Sequence, residues 1–471
     1  MTGTADTATT RVSRAPAAPP HRALVPVLIF LGLVVAVISS LGAPLVPSIA
    51  AADGVVLSDA QWALTITLVV GAVATPVVGR LGDGPRRRAV MLAVLGIVVL
   101  GSTLAALPLG FPWLLAGRGL QGFGLGLTPL GIATARDALT GERSRRTIAA
   151  LSITVAAGIG LGYPLSGLVA ELGGVHAAFA FGGAVALVAL VAGLVALPAS
   201  PDVPGRRLDV LGAVLLGVGL AAGLLGLGEG EHWGFASARV LGLFAVAGVA
   251  LAGWIAWGLR APAPLVDLRL ARGRTAATAH AAALLIGLAN YLLLASVPLL
   301  AQTPTSSGYG FGASVVVAGL LLLPFSAASV VAGRTATWLA RHAGQRSLLP
   351  LGALGVAATM VLFAVSRGSI AAVCVDMAVA GLGVGTAFAG LPALVIAAVP
   401  RGETGSAMSL NQVVRYVGFS IGSATAATVL EAATPAGAAV PAAGGYTVIA
   451  AIGFCACVLM ALLTWLLPAR D

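Results

Sequence analysis

Long apolar runs separated by short polar segments make up almost the whole chain. Each run can cross a bilayer as a helix, because about 20 apolar residues span its hydrocarbon core. The pattern predicts an all-α polytopic membrane protein with fourteen transmembrane helices. The runs fall at 24–48, 60–80, 89–108, 111–135, 147–170, 176–199, 208–228, 239–259, 276–300, 312–338, 347–366, 369–398, 406–430 and 445–467.

The positive charges alternate with these runs. All 26 basic residues are arginine, and the cytoplasmic loops of membrane proteins accumulate such residues. If the N-terminus is cytoplasmic, all the arginines lie on that side of the membrane with four exceptions, which are Arg118, Arg239, Arg367 and Arg415. An even number of crossings then places both termini in the cytoplasm. We expect the chain to lie in the cell (plasma) membrane.

The composition excludes several other classes of protein. The chain is 59% hydrophobic and 9% charged, with a mean hydropathy of +1.03, and no soluble domain of 471 residues could bury so much apolar surface. The net charge of +10 comes from the arginines, so we expect no nucleic-acid partner. The histidines and cysteines have no ligand spacing, and the sequence therefore predicts no metal, no cofactor and no enzyme.

A polar hinge from Gly79 to Arg88 joins the second and third runs. Within it, Asp83 is a suitable N-cap for the helix that follows. The hinge resembles the signature G-x-L-a-D-r-x-G-r-k of the major facilitator superfamily, and the matching residues are Gly79, Leu81, Asp83, Arg87 and Arg88. This resemblance implies a cytoplasmic gate that latches one half of a transporter to the other. The residues alone also allow an ordinary positively charged turn.

A second copy of the hinge, from Thr337 to Arg346, has Arg341 at the acidic position. The repeat predicts two six-helix halves with two extra helices between them, which is similar to the fourteen-helix drug:proton antiporters of that superfamily. The predicted domains are a disordered cytoplasmic tail at 1–22, an N-terminal bundle at 23–200, two inserted helices at 201–262 and a C-terminal bundle at 263–471.

The fourth run carries Arg118 about two turns inside the span. A charge there is costly unless it faces a polar cavity or a partner, and a structural anchor is the alternative. The run resembles the fourth-helix signature of the superfamily, with matches at Leu114, Arg118, Gln121 and Gly122. The resemblance implies that Arg118 and Gln121 line the cavity and influence proton coupling.

The fifth run contains Pro164, which predicts a kinked helix. It resembles the antiporter signature g-x-x-x-G-P-x-x-G-G, and the matching residues are Gly158, Gly162, Pro164 and Gly167. In the superfamily this element belongs to exporters, so the resemblance favours efflux. A generic packing helix is the alternative.

The first run lacks the acidic residue that the fourteen-helix antiporters usually carry. Asp376, about two turns into the twelfth run, is therefore the candidate proton carrier, and a satisfied structural carboxylate is the alternative. Further polar residues inside spans are candidates for the substrate cavity, namely Asn290, Tyr291, Asn411, Gln412 and Arg415.

These features predict a secondary active transporter that exports small amphipathic organic compounds, such as drugs or antibiotics, in exchange for protons by alternating access. The alternatives are a proton symporter or facilitator for a metabolite, and a membrane-embedded enzyme. The expected partners are a small-molecule substrate, protons and the lipid bilayer. We expect the chain to function as a monomer.

Overall fold

The computed structural model describes residues 22–41, 45–200, 208–435, 438 and 440–466, and all regular structure within them is helical. The helices that precede residue 200 are α1 (Leu24–Ser40), α2 (Val46–Asp53), α3 (Leu57–Gly82), α4 (Arg87–Ala106), α5 (Phe111–Gly122), α6 (Leu127–Ala138) and α7 (Gly141–Ala196). The middle of the chain forms α8 (Val210–Gly228), α9 (Gly230–Trp233), α10 (Ala238–Gly258) and α11 (Leu268–Ala271). The remainder forms α12 (Arg274–Gln302), α13 (Val315–Leu320), α14 (Leu323–His342), α15 (Leu348–Val365), α16 (Ile370–Ala397), α17 (Thr404–Ala432) and α18 (Ala443–Leu466). The predicted tail, apart from Arg22, lies outside the described residues.

Eleven helical segments of the described residues are long and apolar enough to cross a membrane. The other three predicted runs take different forms. The first is the shorter helix α1, and the fourth is divided into α5 and α6 by a 3-10 turn at Phe123–Gly126. The fifth is the N-terminal part of α7, which continues into the sixth run through Gly174. That residue has a φ of 80°, a conformation that favours glycine, and it breaks the helical geometry.

Helices α1 to α7 pack mainly on one another and form a first half, and α12 to α18 do the same and form a second half. Within each half, glycine lets helices pack backbone against backbone. A Cβ at Gly117 of α5 would lie 2.5 Å from the carbonyl oxygen of Gly101 in α4. In the other half, a Cβ at Gly287 of α12 would lie 2.6 Å from the carbonyl oxygen of Arg415 in α17. These approaches leave no room for a side chain, so the glycines set the separation of both helix pairs.

The two middle helices α8 and α10 pack on each other, and α8 also packs on α3 and α17. Asp209 fixes this arrangement through three hydrogen bonds. It accepts from the backbone N of Gly212 at 2.9 Å, from Trp257 Nε1 at 2.9 Å and from the backbone N of Leu265 at 3.0 Å. The linker before α12 is therefore held at the end of this helix pair where α8 begins and α10 ends.

Many large apolar side chains point outward from the helices, as Val195, Val249 and Val365 do. On a soluble protein such a surface would be unfavourable, but on spans of this length it contacts lipid. The chain is therefore an integral membrane protein.

Candidate functional site

Asp83, at the end of α3, joins the two halves of the bundle. Its Oδ1 accepts a hydrogen bond from the backbone N of Gly405 at 2.6 Å, and its Oδ2 accepts one from the backbone N of Ser406 at 2.8 Å. Both amides belong to the first turn of α17. The predicted role as N-cap of the next helix is therefore wrong, because Asp83 ends α3 in helical geometry and α4 begins after Arg86 without a side-chain cap.

The first turn of α17 is a favourable environment for the charge of Asp83, because unpaired amides give a helix N-terminus a partial positive charge. The residue is only 6% exposed. Burial raises the pKa of Asp83, while the hydrogen bonds from Ser406 and Gly405 and the charge of Arg87 act in the opposite direction. The raised pKa means that Asp83 binds a proton more readily in this closed contact than in water.

Gly79 brings the two backbones together one turn before Asp83. A Cβ at Gly79 would lie 2.8 Å from the carbonyl oxygen of Gly405, and a Cβ at Gly405 would lie 2.8 Å from the carbonyl oxygen of Gly79. This close approach is what allows the side chain of Asp83 to reach the amides of α17.

A buried salt bridge lies beside this contact and was missed by the sequence analysis. Arg80 Nη1 lies 3.0 Å from Glu403 Oε2, and both side chains are nearly inaccessible. Ser406 Oγ also donates to Glu403 Oε2 at 3.2 Å. Removing either partner of such a buried pair is strongly destabilising, because the remaining charge stays buried without a counter-charge.

Arg136, at the end of α6, provides a third contact between the halves. Its guanidinium donates to the carbonyl oxygens of Ile396 at 3.0 Å and Val399 at 3.1 Å, and to Thr404 Oγ1 at 2.5 Å. These acceptors lie at the C-terminal end of α16 and the start of α17. A cation is favourable there because a helix C-terminus carries partial negative charge.

The other members of the predicted gate bind within their own half or remain exposed. Arg87 donates to the carbonyl oxygen of Gly82 at 2.8 Å and forms a salt bridge with Asp137 at 2.7 Å. Arg88 donates to the carbonyl oxygen of Leu194 at 2.7 Å. Leu81 is 44% exposed. The structure thus brings Gly79 and Asp83 to the other half, and Arg87 and Arg88 support the fold of the hinge itself.

The second hinge also contacts the opposite half. Arg341 Nη2 lies 2.9 Å from Glu142 Oε1, in the first turn of α7. Glu142 also accepts hydrogen bonds from Arg145 and Arg146 of its own helix. The bonds from Arg145, Arg146 and Arg341 lower the pKa of Glu142 to about 2. Unlike the first hinge, this contact is exposed to water.

Arg118 and Gln121 lie in the interior of the first half. Arg118 donates to the backbone oxygens of Ala63 at 2.8 Å and Ile38 at 3.0 Å, and to Gln121 Oε1 at 2.6 Å. Gln121 in turn donates to Ser102 Oγ at 2.9 Å. The guanidinium thus ties α5 to α1 and α3, and the implied role in proton coupling stays a prediction.

The antiporter-type segment of α7 packs on α1. A Cβ at Gly158 would collide with Ala36, and the carbonyl oxygen of Gly162 accepts a hydrogen bond from Ser166, whereas a Cβ at Gly167 would meet no atom within 4 Å. Pro164 lies inside the helix and lines a cavity of about 380 Å³ between α1 and α7. The lining side chains of this cavity are apolar throughout.

Gln412 makes a contact between the halves inside the membrane region. Its Nε2 donates to the carbonyl oxygen of Leu125 at 2.7 Å and to Tyr416 Oη at 2.8 Å. The carbonyl of Leu125 is available because the residue four positions later is Pro129, which has no N–H to donate. A side chain of α17 therefore satisfies a backbone group that the broken fourth run leaves open.

Several buried polar groups of the second half have no hydrogen-bond partner among the described residues. They include both amide atoms of Asn290, both carboxylate oxygens of Asp376, the hydroxyl of Ser409 and Nε of Arg415. The guanidinium of Arg415 lies 4.5 Å from the ring centroid of Phe388, and Tyr291 stacks on Phe419 at 5.2 Å. Asn411, in contrast, donates to the carbonyl oxygen of Ala279 at 3.0 Å.

Unsatisfied groups of this kind are rare in a packed interior and are common where a ligand or an ion binds. The second half therefore offers a buried carboxylate, an amide, a guanidinium and aromatic rings, whereas the polar groups around Arg118 in the first half are hydrogen-bonded to one another.

Comparison with known proteins identifies the family. A family model described as Major Facilitator Superfamily matches residues 28–423 and 279–471. A triacylglyceride transporter of Mycolicibacterium smegmatis is 30% identical over 376 residues, which cover 74% of this chain but only 64% of that relative. A putative multidrug resistance protein, MdtD, of Escherichia coli O6:H1 is 27% identical over 356 residues, which cover 74% of each chain.

A solved structure has the same fold. The human organic anion transporter MFSD10 superposes with a TM-score of 0.65 at 18% sequence identity, covering 94% of this chain and 100% of that one. The prediction of a transporter family, as opposed to an enzyme, is confirmed by these matches.

Proposed function

Because this chain belongs to the major facilitator superfamily, we propose that it is a secondary active transporter that exports small amphipathic organic compounds in exchange for protons. The observation that carries the proposal is the contact between Asp83 and the first turn of α17, which ties the two halves together at the arginine-rich face. Alternating access requires such contacts to form and break as the halves rock about a central site.

The membrane topology we propose has fourteen crossings, with both termini in the cytoplasm of a cell whose plasma membrane holds the protein as a monomer. The eleven long apolar segments supply most of these crossings. Helix α1, the broken pair α5 and α6, and the N-terminal part of α7 would supply the rest. The arginine-rich hinges then face the cytoplasm, in accord with the bias of cytoplasmic loops toward positive charge.

Asp376 is the proposed proton carrier. Its carboxylate is 3% exposed and unpartnered among the described residues, and a group that accepts and releases protons must not be locked in a permanent salt bridge. Asn290, Tyr291 and Arg415 are proposed to contact the substrate together with Asn411 and Gln412, whose amides bond to Ala279 and Leu125 respectively. Arg118 and Gln121 are proposed to hold the first half rigid during coupling.

The test is transport by the purified protein in liposomes with an imposed pH gradient, using a panel of amphipathic fluorescent compounds. We expect accumulation that a protonophore abolishes, and Asp376→Asn should stop gradient-driven transport while substrate binding remains. Full gradient-driven transport by Asp376→Asn would remove this residue as the carrier. Transport down a substrate gradient without proton movement would favour the alternative of a facilitator, and co-transport of protons with the substrate would favour a symporter.

A second candidate substrate is a neutral lipid. The apolar cavity of about 380 Å³ between α1 and α7 favours it, because its lining carries no polar side chain and suits a hydrocarbon chain. The triacylglyceride transporter relative supports the same idea. Transfer of a labelled triacylglycerol between leaflets or to an acceptor, reduced by Val34→Trp within the cavity, is the expected result if lipid is the cargo.

A further inference from the structure

An arginine-lined cavity of about 720 Å³ lies between the two halves beside the second hinge. Its walls come from the ends of α6, α7, α14, α15 and α16. Among the described residues that line it, Glu142 is the one carboxylate, and the cations are Arg136, Arg145, Arg146, Arg341 and Arg401. The cavity therefore has a strong excess of positive charge.

The residues of the cavity leave much of this charge uncompensated. Arg145, Arg146 and Arg341 all share the single carboxylate of Glu142. Arg401 is exposed and its side chain forms no hydrogen bond or ion pair with the described residues. An anion placed here would gain contacts from both halves at once.

The remainder of the lining is mostly apolar, and its polar members are Thr140, Ser144, Thr337 and Gln345. Ile148 and Ala149 of α7 face Leu348 of α15 and Ala389 of α16. Leu348 begins α15 and Ile148 lies two turns inside α7, so we expect this lining to extend from the headgroup region into the hydrocarbon core. Basic pockets between transmembrane helices bind anionic headgroups, so the cavity suits a ligand that combines a phosphate with acyl chains.

We propose that this cavity binds an anionic phospholipid of the adjacent leaflet, whose phosphate bridges Arg145 and Arg146 of the first half and Arg341 and Arg401 of the second. Asp83 and Glu403 supply the negative charge that joins the halves at the first hinge. The lipid supplies the corresponding charge at the second hinge and stabilises the closed form of this face.

The test uses the full-length protein purified in detergent, with lipid binding followed by native mass spectrometry and by thermal unfolding. Phosphatidylglycerol should bind and raise the melting temperature, whereas phosphatidylcholine and inorganic phosphate should do neither. An equal response to phosphatidylcholine would overturn the role of charge. The same stabilisation by inorganic phosphate alone would overturn the role of a lipid.

Matched variants locate the site. The triple variant Arg145→Gln/Arg341→Gln/Arg401→Gln should weaken phosphatidylglycerol binding by at least about tenfold. The control variant is Arg260→Gln/Arg272→Gln/Arg274→Gln, which removes three exposed arginines outside the cavity. It should leave the affinity for phosphatidylglycerol within about twofold. Equal weakening by both triple variants would overturn the proposed site.

A variant with the opposite expected effect separates anion binding from a loss of structure. Glu142→Gln keeps all five arginines of the cavity and removes the competing carboxylate, so it should tighten phosphatidylglycerol binding. Weaker binding by Glu142→Gln would contradict the proposal. None of these measurements depends on transport, so they remain decisive whatever the cargo is.

Discussion

The two hinges make the same kind of connection with opposite charges. In the first hinge, the carboxylate of Asp83 reaches the N-terminal amides of α17 in the other half. In the second hinge, the guanidinium of Arg341 reaches Glu142 in the first turn of α7. Each hinge therefore contacts the beginning of a long helix across the interface, but the acid lies on the hinge in one case and on the helix in the other.

The two hinges differ more in the burial of their charged residues than in the sign of the charge on the hinge. Asp83 and the pair of Arg80 and Glu403 are buried, whereas Arg341 and Glu142 are exposed. Water and salt screen an exposed ion pair, and most such pairs contribute little stability, while breaking a buried pair is costly. The comparison indicates that the residues of the first hinge do more to hold the two halves together than the exposed pair of the second hinge does.

The largest effect is expected from breaking the buried pair. Glu403→Ala leaves Arg80 buried without a carboxylate, which typically costs about 3–5 kcal/mol. The apparent melting temperature of the purified protein, followed by tryptophan fluorescence, should fall clearly. Arg341→Ala, which removes the exposed pair, is the matched control and should change it little. The double variant Arg80→Met/Glu403→Met should recover most of the loss, and equal losses in Glu403→Ala and Arg341→Ala would contradict the distinction between the hinges.

The next largest effect is expected from Asp83→Asn. The amide keeps the size of the side chain but replaces one acceptor with a donor that faces backbone N–H groups, a loss of about 1–3 kcal/mol. The two halves should separate more often at the first hinge. Because Ser409 is buried, a Ser409→Cys reporter should then react with a water-soluble maleimide at least about tenfold faster. The background for this measurement has Cys374, Cys455 and Cys457 replaced by alanine. Arg341→Gln should leave the rate within about twofold, and an unchanged rate in Asp83→Asn would remove Asp83 as a latch.

A smaller effect is expected from adding one methyl group to each hinge. Gly79→Ala places a Cβ against both the side chain of Ser409 and the carbonyl oxygen of Gly405, so it should push the halves apart and accelerate labelling of the Ser409→Cys reporter. Gly344→Ala meets no atom within 4 Å but is strained, because a φ of 84° with a ψ of 156° is essentially limited to glycine, a cost of about 1–3 kcal/mol. It should therefore lower the melting temperature without opening the face. Equal labelling rates in the two variants would contradict a close contact at Gly79.

The smallest effect is expected at the exposed pair and depends on salt. Arg341→Gln should slightly accelerate labelling of an Ala340→Cys reporter at low ionic strength, and the difference should vanish in 1 M salt, where the Debye length is about 3 Å. Because the pKa of Glu142 is lowered to about 2, the stabilisation from its charge is fully present above its usual pKa and is lost only as the pH falls toward 2. Acidification from pH 7 to pH 5 should leave the difference unchanged, and a loss within that range would contradict the assignment of Glu142.

The apolar runs predict most of the helices, because spans in lipid must satisfy their backbone groups internally and so form long helices. They also separate the fifth run from the sixth, and the structure agrees, because Gly174 with its φ of 80° breaks α7 between the two. The division of the fourth run could have been anticipated. Glycines at 122, 124 and 126 and the missing N–H of Pro129 all weaken the helix there.

The candidate site was predictable only in part. The spacing of Asp83 in its motif predicts a latch, which stays a prediction, and the structure shows Asp83 bonded to the first turn of α17. The local rule for helix capping points instead to α4, which is the wrong helix. The pair of Arg80 and Glu403 is separated by 323 residues, and a single sequence does not specify which distant charges meet. Asp376 and Asn290 were singled out as polar residues within spans, and the structure adds that both lack a hydrogen-bond partner among the described residues.

When two rigid bodies rock against each other, atoms move in proportion to their distance from the axis of rotation. The contacts of Asp83 and Arg80 lie at the end of their helices, far from an axis at mid-depth, and a small angle is enough to separate them. The bond from Gln412 to the carbonyl of Leu125 lies deeper, next to the 3-10 turn of the fourth run. Under the proposed rocking of the two halves, atoms at this depth move little. We therefore expect the hydrogen bond of Gln412 to persist while the contacts of Asp83 and Arg80 break.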